Sequence, residues 1–308
     1  MGKAAVITWN LRASPRRGVT VKEDEEDVAS DDGGPPTSTL RTTVERVESC
    51  VSRLNLQLMR VGVDRAVAVF QEVPERFAPL LASATQGAWS VVGSAGNHVA
   101  IAKMGPVEVT SVEALATSDS AANDRALLAD IDGLLPSRVR VVGLHWLDRF
   151  HRPEPQRSDY GRPFWTKIRA QWNHPQSPHF IVLGDFNESP YDRSLVSRDH
   201  LWAIRDRADL VGRTHPTDGR PPLYNPMWRL LPERDEPPHG TYCWDRPEVS
   251  GVRWWHIDQI LVSPSVVDEL KNVDILVELD GQQLLNKHGK PDLRIASDHL
   301  PVIAILGA

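Results

Sequence analysis

The sequence is poor in cysteine and lacks long apolar runs, and both absences exclude classes of protein. Its 308 residues contain two cysteines, Cys50 and Cys243, which do not have the spacing of a metal-binding motif. We therefore expect two reduced thiols rather than a disulfide-stabilised scaffold. No apolar run approaches the roughly 20 residues that a membrane-spanning helix needs, so no membrane span is expected.

The sequence also lacks a recognisable targeting segment. In MGKAAVITWN the apolar run after Lys3 is short, and no small-residue cleavage site follows it, unlike in a secretory signal peptide. Gly2 has the position of a myristoylated glycine, but Val6 stands where that motif needs serine or threonine. We expect a cytoplasmic protein.

A strong excess of charge is missing from most of the chain. The formal net charge is −6, and the segment EDEEDVASDD (23–32) alone holds seven acidic residues and no basic one, which leaves +1 elsewhere. A nearly neutral body does not predict strong overall attraction to nucleic acid, although it is compatible with a local basic groove. Residues 13–37, which also contain GGPPTS, predict a flexible acidic insertion.

Several apolar, strand-like segments of the chain end in polar residues. Burying ionisable side chains is costly unless they are paired or bind a metal, so a whole set of them at strand ends needs an explanation. If the strand ends meet in space, these residues form one polar cluster at the mouth of a sheet, where ligands commonly bind. The polar residues are Asn10, Glu72, His145, Asp185, Asn187, Asp258, Asp298 and His299.

The chemistry of this set is restricted. Oxygen donors dominate it, and hard oxygen ligands favour Mg²⁺ or Mn²⁺ over zinc. Mg²⁺ usually takes one or two carboxylates, which leaves the others to orient a histidine or a nucleophilic water. With two histidines and no candidate serine or cysteine nucleophile, the set indicates metal-assisted hydrolysis of a phosphate ester.

Each residue taken alone also has a simpler structural explanation. Asn10 can be a strand-end cap, and His145 can be a core histidine whose hydrogen bonds are satisfied. Glu72 and Asp258 can be ion-pair partners of arginines. The order of the whole set along the chain favours the functional interpretation.

The motifs around these residues occur in a characteristic order. They are ITWN with Asn10, FQEVP with Glu72, GLHW with His145, LGDFN with Asp185 and Asn187, HIDQILVS with Asp258, and SDHLPV with Asp298 and His299. In these motifs, which cover nearly the whole chain, the sequence resembles the endonuclease/exonuclease/phosphatase superfamily, the DNase I-like proteins. The resemblance implies an α/β (α+β) fold: a four-layer α/β/β/α sandwich of two packed mixed sheets, formed by one domain spanning residues 1–308.

The resemblance also implies a metal site. By analogy with the family, Glu72 is the principal ligand of Mg²⁺, for which Mn²⁺ can substitute. Asn10 lies beside the metal and positions it or its waters. Asp298 assists the metal or the attacking water.

Further roles follow from the same resemblance. Asp185 and Asn187 match the pair that aligns the attacking water and holds the scissile phosphate. His299 is the base or holds a phosphate oxygen, and Asp258 fixes its tautomer. His145 resembles the proton donor of DNase-like and sphingomyelinase-like members, and no carboxylate that would orient it is identifiable.

Segments outside the motifs are candidates for substrate binding. The basic loop after His145 contains Arg149 and Arg152, which predict phosphate contacts. The segment PPLYNPMWRLL (221–231) contains Tyr224 and Trp228, which predict stacking on bases. Upstream of it, SLVSRDHLWAIRDRADLVG (194–212) predicts a helix.

These features favour a nuclease that acts on nucleic acid. One alternative is a phosphatase or phospholipase acting on a phosphoinositide, sphingomyelin or a small organic phosphate, which the nearly neutral body keeps open. The other is a catalytically inactive binding or scaffold protein, against which the intact motif set argues.

Overall fold

The computed structural model describes residues 2–13, 43–74, 76–96, 98–115, 124–149, 154–172, 178–231, 235–244 and 251–307, without the side chains of 154–160. The expected flexible insertion at 13–37 lies outside the described residues, except for Ala13. Arg152, a predicted phosphate contact, lies outside them as well.

The first large sheet has six strands in the order β14-β17-β1-β2-β4-β3. Strands β1 and β2 are parallel, and the other neighbours are antiparallel, so the sheet is mixed. Its strands are β1 (Lys3–Asn10), β2 (Val63–Gln71), β3 (Trp89–Ala95), β4 (Val99–Met104), β14 (Leu270–Ile275) and β17 (Val302–Leu306).

The second large sheet has seven strands in the order β5-β6-β7-β8-β13-β10-β9. It is also mixed, because β7 pairs with β8 and β10 with β9 in parallel. Its strands are β5 (Glu108–Ala114), β6 (Ala126–Asp132), β7 (Val139–His145), β8 (Phe180–Asp185), β9 (Ala203–Ile204), β10 (Leu223–Tyr224) and β13 (Asp258–Val262). Two short ribbons complete the strands: β11 (Tyr242–Cys243) with β12 (Trp254–Trp255), and β15 (Glu278–Leu279) with β16 (Gln282–Gln283).

The two large sheets pack face to face, and the alternation of side chains along each strand explains how. Along β7, Val141 joins the core between the sheets, whereas the next residue, Val142, joins a second apolar cluster on the outer face. Ile181 and Val182 divide in the same way along β8. A strand with both faces buried must be apolar at successive positions, and the sequences of β7 and β8 show this pattern.

Helices cover the outer faces of both sheets. Helix α1 (Thr43–Arg60) and helix α2 (Phe77–Ala84) pack on the first sheet, and helix α3 (Glu154–Ala170) contributes Phe164 and Trp165 to the apolar cluster on the outer face of the second. The layer order α/β/β/α confirms the predicted fold. No helix in the described ranges is long and apolar enough to cross a membrane.

The predicted helix over residues 194–212 is wrong. This stretch forms a short helix α4 (Arg193–Val196), strand β9 and a 3₁₀ helix (Arg207–Leu210). Leu201 and Ala203, two residues apart, both pack into the outer apolar cluster, as alternate residues of an extended segment do. Trp202 between them has a φ of 51°. A residue in the left-handed region interrupts a helix, so local alternation and strand pairing determine the structure here.

A glycine determines how closely the two central strands of the second sheet approach each other. At Gly184, just before the end of β8, a Cβ atom would lie 1.9 Å from the carbonyl oxygen of Leu144 on β7. No other residue fits this position without moving the backbone. The glycine of LGDFN therefore allows His145 and Asp185 to become neighbours at the ends of β7 and β8.

Candidate active site

Three of the predicted site residues lie in one row across the second sheet. In the strand register His145 on β7 is opposite Asp185 on β8, and Asp185 is opposite Asp258 on β13. Neighbouring strands are about 4.8 Å apart, so the central residue, Asp185, is within reach of both His145 and Asp258. Each of these residues begins or ends an apolar strand, so the pairing of β7, β8 and β13 brings their side chains to the same edge of the sheet.

Asn10 connects this row to the first sheet. Its Nδ2 donates hydrogen bonds to Oε1 of Glu72 at 3.1 Å and to Oδ2 of Asp185 at 3.0 Å. One amide nitrogen therefore holds carboxylates from both sheets at the same end of the sandwich. Asn10 has more than a capping contact to its own chain neighbours, and the structure brings it together with Glu72 as the motifs predict.

Two residues of the cluster have an unusual backbone conformation. Glu72 has a φ of 49° and Asn187 a φ of 50°. Left-handed φ values are uncommon for residues other than glycine, and such strain is concentrated at functional sites. Each residue lies just past the end of a strand, where this turn sets the direction of its side chain.

Asn187 is fixed by two contacts to its surroundings. Its backbone N–H donates to Oδ1 of Asp185 at 2.9 Å, and its Nδ2 donates to the carbonyl of Trp146 at 3.1 Å. A carboxamide nitrogen has two N–H groups, so the second is available for an oxygen of a bound substrate.

His299 and Asp258 form a buried hydrogen-bonded pair. Nδ1 of His299 lies 2.9 Å from Oδ2 of Asp258, and 4.0 Å from Oδ2 of Asp185. The indole N–H of Trp9 donates to the backbone carbonyl of His299 at 3.0 Å. With Nδ1 engaged by a carboxylate, the tautomer is set and Nε2 is the ring nitrogen left for a substrate.

His145 has a different environment. Its Nε2 lies 3.8 Å from both Oε1 of Glu72 and Oδ2 of Asp185, which is close but beyond hydrogen-bond length. Its buried Nδ1 has no hydrogen-bond partner. His145 is therefore not a core histidine with satisfied hydrogen bonds, and none of the described carboxylates orients its Nδ1.

Burial and the neighbouring charges raise the pKa values of Asp185 and His299 and lower the pKa of His145. Burial, reinforced by the charge of Asp258, raises the pKa of Asp185 to about 7. Burial also lowers the pKa of His145 well below its usual value, with a further contribution from the charge of Arg125. For His299 burial again acts to lower the pKa, but the charge and hydrogen bond of Asp258 outweigh it and raise the pKa to about 10.

These pKa shifts determine which roles the two histidines can take in the reaction. At neutral pH the isolated protein holds His299 protonated and His145 neutral. Of the two roles expected for His299, holding a phosphate oxygen suits an imidazolium, whereas acting as a base requires the neutral ring. A neutral His145 is in turn a weaker proton donor to a leaving group than the motif comparison implies.

The donor atoms of the cluster fit a hard divalent cation. One ligand atom each from Asp185, Asp258 and His299 lies within 4.8 Å of the others, and the buried Oδ1 of Asp258 has no hydrogen-bond partner. However, His299 Nδ1 and Asp258 Oδ2 already bind each other. The carboxylates of Glu72 and Asp185, held by the same amide nitrogen, are the oxygen donors that such a cation prefers.

Arg12 joins the site, although the motifs did not single it out. Its Nη1 lies 2.7 Å from Oδ2 of Asp298, and its backbone N–H donates to Oδ1 of Asn10 at 3.0 Å. Asp298 is therefore an ion-pair partner next to the cluster. The only sequence signal for Arg12 is its place two residues beyond the polar end of β1.

Arg46, from the first turn of α1, is a second residue that sequence reasoning missed. Its guanidinium is buried and donates to the backbone carbonyls of Leu11, Arg12 and Ala296. It thereby joins the segment after β1 to the segment that carries Asp298 and His299. A lone arginine beside the apolar face of a helix gives no indication of such a role.

Thr241 and Tyr242 support the His299–Asp258 pair from one side. The Thr241 hydroxyl oxygen accepts the backbone N–H of Asp258 at 3.1 Å, and the Tyr242 ring centroid lies 4.6 Å from that of His299. Burial, followed by the charge of Asp298, raises the pKa of Tyr242, so it stays a neutral phenol. The short GTYCW strand therefore contributes to the site.

The predicted substrate-binding residues have different positions. Tyr224 is 2% exposed and packs in the core between the sheets, so the expectation that it stacks on a base is corrected. Arg149 is held by Oδ2 of Asp192 at 3.3 Å and lies 3.8 Å above the ring of Trp255. Trp228 is half-buried and reaches the surface.

Comparison with solved structures identifies proteins with the same fold. A protein of the endonuclease/exonuclease/phosphatase family from Bacteroides thetaiotaomicron has a TM-score of 0.58 and 13% identity, over 99% of this chain and 98% of that one. The 3′-5′ exonuclease NExo from Neisseria meningitidis has a TM-score of 0.56 and 17% identity, over 99% and 100%. D. rerio TDP2, in complex with a single-strand DNA product, has a TM-score of 0.56 and 15% identity, over 99% and 99%.

The comparisons support the resemblance at the level of the fold. Neither the protein-family models nor the curated proteins include a match to this sequence. Across nearly the full length of the chain, the fold is that of the endonuclease/exonuclease/phosphatase, or DNase I-like, proteins.

Proposed function

We propose that this chain, which has the DNase I-like fold, is a Mg²⁺-dependent phosphoesterase that hydrolyses phosphodiester bonds of nucleic acid. The observation that carries the proposal is the convergence of side chains from residue 10 to residue 299 on one end of the sandwich. Asn10 links Glu72 to Asp185, and Asp185 lies between His145 and the His299–Asp258 pair. A set of carboxylates, an amide and imidazoles at one end of the sandwich, with the side chain of Glu72 28% exposed, is suited to hydrolysis at phosphorus.

The proposed ligand of the cation is Glu72, which Asn10 holds by a hydrogen bond, and Asp298 is proposed to assist the metal or the attacking water. Glu72 is the most accessible carboxylate of the contact set around Asn10, with 28% of its side chain exposed, whereas Asp185 is almost fully buried. When bound there, Mg²⁺ or Mn²⁺ would supply neutralisation of the negative charge that a phosphate ester brings into the site.

The proposed roles of the other residues follow from their contacts. Asp185, whose pKa lies at about 7, is suited to orient an attacking water and accept its proton. Asn187 offers an N–H to a phosphate oxygen. His299 presents Nε2 to the phosphate while Asp258 holds Nδ1, and His145 lies on the opposite side of Asp185.

Nucleic acid is the favoured substrate for two reasons. The solved structures with this fold include an exonuclease and a TDP2 bound to a DNA product. In addition, residues 193–229, which follow the LGDFN motif, contain seven arginines and four aspartates, so this segment carries a net charge of +3. Such a local excess attracts a polyanion even though the body of the chain is nearly neutral.

A substrate panel tests the proposal. We expect the protein with Mg²⁺ or Mn²⁺ to hydrolyse single-stranded or duplex oligonucleotides, and excess chelator to abolish the activity. A phosphoinositide, sphingomyelin and a small organic phosphate are the comparison substrates, with product release as the measurement. Faster turnover of one of these would replace the nuclease proposal with the phosphatase or phospholipase alternative, and no turnover of any substrate would favour an inactive binding protein.

A further inference from the structure

A pair of aromatic side chains with a neighbouring cation lies outside the catalytic cluster. The rings of Tyr191 and Trp228 meet edge to face, with centroids 6.3 Å apart, and Tyr191 is 52% exposed. The guanidinium of Arg205 lies 5.9 Å from the Trp228 ring centroid. The Arg205 side chain is 63% exposed, and its ion pair with Asp206 at 3.4 Å is a weak surface contact. We refer to Tyr191, Trp228 and Arg205 as the aromatic platform.

The platform is close to the proposed site of chemistry. Tyr191 follows Asn187 by four residues, so the two Cα atoms are at most about 14 Å apart. This is within the reach of the first nucleotides on one side of a phosphate bound at Asn187.

Buried hydrogen bonds of Gln259 fix the positions of the segments that carry Tyr191 and Trp228 relative to the catalytic residues. Gln259, the neighbour of Asp258, donates from Nε2 to the carbonyl of Glu188 at 2.5 Å. Its Oε1 accepts from Nδ2 of Asn225 at 2.8 Å. Asn225 caps the 3₁₀ helix Pro226–Leu230 that carries Trp228. These hydrogen bonds therefore fix the position of the aromatic pair relative to Asn187.

The composition of the platform matches an unpaired nucleotide. A base has a flat π-face that stacks on an aromatic ring, and the phosphate next to it is attracted by an exposed guanidinium. In a duplex each internal base is already stacked and paired, so its face is not available without unstacking.

We propose that the aromatic platform binds an unpaired base that flanks the scissile phosphate, and so selects single-stranded over duplex substrates. The proposal rests on the proposed phosphodiesterase function, since it assigns a substrate class to the same site. Tyr191 provides the stacking surface, Trp228 supports it, and Arg205 attracts the adjoining phosphate.

The test compares Tyr191→Ala with the matched control Tyr191→Phe, which keeps the ring. The substrates are a single-stranded DNA oligonucleotide, the same oligonucleotide with base-free residues on both sides of the cleaved bond, and its blunt duplex. We expect Tyr191→Ala to raise KM for the normal single strand about tenfold with little change in kcat. Tyr191→Phe should behave like the wild type, and the base-free oligonucleotide should show no difference between the variants.

Other outcomes overturn the proposal. An unchanged KM in Tyr191→Ala, or an equal rise in KM for the base-free oligonucleotide, would show that Tyr191 does not bind the substrate by base stacking. If the wild type cleaves no oligonucleotide, the phosphodiesterase proposal fails, and fluorescence anisotropy with the same oligonucleotides in chelator still decides whether the platform binds bases.

Discussion

The variant Asp185→Asn is expected to lose turnover by about 10³-fold while remaining folded. The substitution keeps the size of the side chain but removes its negative charge and its capacity to take a proton. Asp185 is the central residue of the row across β7, β8 and β13 and also contacts Asn10. The measurement is kcat on a single-stranded oligonucleotide with Mg²⁺.

Although it loses activity, the same variant is expected to be more stable than the wild type when no metal is bound. The pKa of Asp185 rises from 3.8 to about 7 on folding because the carboxyl is buried next to Asp258. A raised carboxyl pKa means that ionisation destabilises the folded protein as pH rises through this interval. Asparagine does not ionise, so the metal-free variant should unfold at a higher temperature than the metal-free wild type at pH 8, and the difference should shrink at pH 5.

Two results would contradict this account of Asp185. Turnover of Asp185→Asn near that of the wild type would show that the carboxylate does not take part in the reaction. A lower unfolding temperature for the metal-free variant at pH 8 would show that the ionised carboxylate stabilises the fold, contrary to the raised pKa of Asp185.

The variant His299→Ala is the second for which we expect a loss of about 10³-fold in turnover. The imidazole is held by Asp258 at Nδ1 and presents Nε2 to the substrate, so its removal takes away a contact to the reacting phosphate. It also leaves the buried carboxylate of Asp258 without its partner, which costs roughly 3–5 kcal/mol of stability. Circular dichroism and kcat must therefore be measured on the same preparation.

The matched control for His299 is His299→Gln. A glutamine side chain can still donate a hydrogen bond in the direction of Asp258, which limits the loss of stability, but it carries no proton that titrates. We expect the glutamine variant to be more stable than the alanine variant and to be nearly as inactive. Activity close to the wild type in His299→Gln would contradict a role of the imidazole in the reaction.

The buried strands and the polar residues at their ends could be predicted from the sequence because both depend on local features. Apolar segments such as those before Asn10 and Asp185 indicate buried strands, and polar residues at their ends must lie at a sheet edge. The four-layer arrangement of the strands was predicted through the resemblance of these motifs to the endonuclease/exonuclease/phosphatase superfamily. Contacts such as Asn10 with Glu72 and Asp185 agree with this arrangement.

Features that depend on loop geometry were not predictable from the sequence. The left-handed φ at Glu72 has no counterpart in a residue preference, whereas asparagine, as at Asn187, adopts this region more readily than most residues. Arg12 and Arg46 reach the site through turns whose course has no sequence signature. The helix predicted over 194–212 was replaced by strand pairing, because the burial of Leu201 and Ala203 on a sheet edge outweighs helix propensity.

Burial also separates residues that look equivalent in the sequence. Tyr224 and Trp228 occur in the same proline-rich segment, but Tyr224 lies in the core and Trp228 reaches the surface. Tyr191, directly after the LGDFN motif, is the exposed partner of Trp228. Tyr224 lies in strand β10 and Trp228 in the following 3₁₀ helix, a division that the sequence of this segment does not indicate.

The most direct test of the central claim is calorimetric titration of the wild type and of Glu72→Gln with Mn²⁺. If Glu72 holds a hard cation at the point where both sheets bring their polar strand ends together, the wild type binds Mn²⁺ and the variant binds it at least about tenfold more weakly. Equal Mn²⁺ binding by the two proteins, or none by the wild type, would contradict a metal site at Glu72 and with it the proposed metal-dependent hydrolysis.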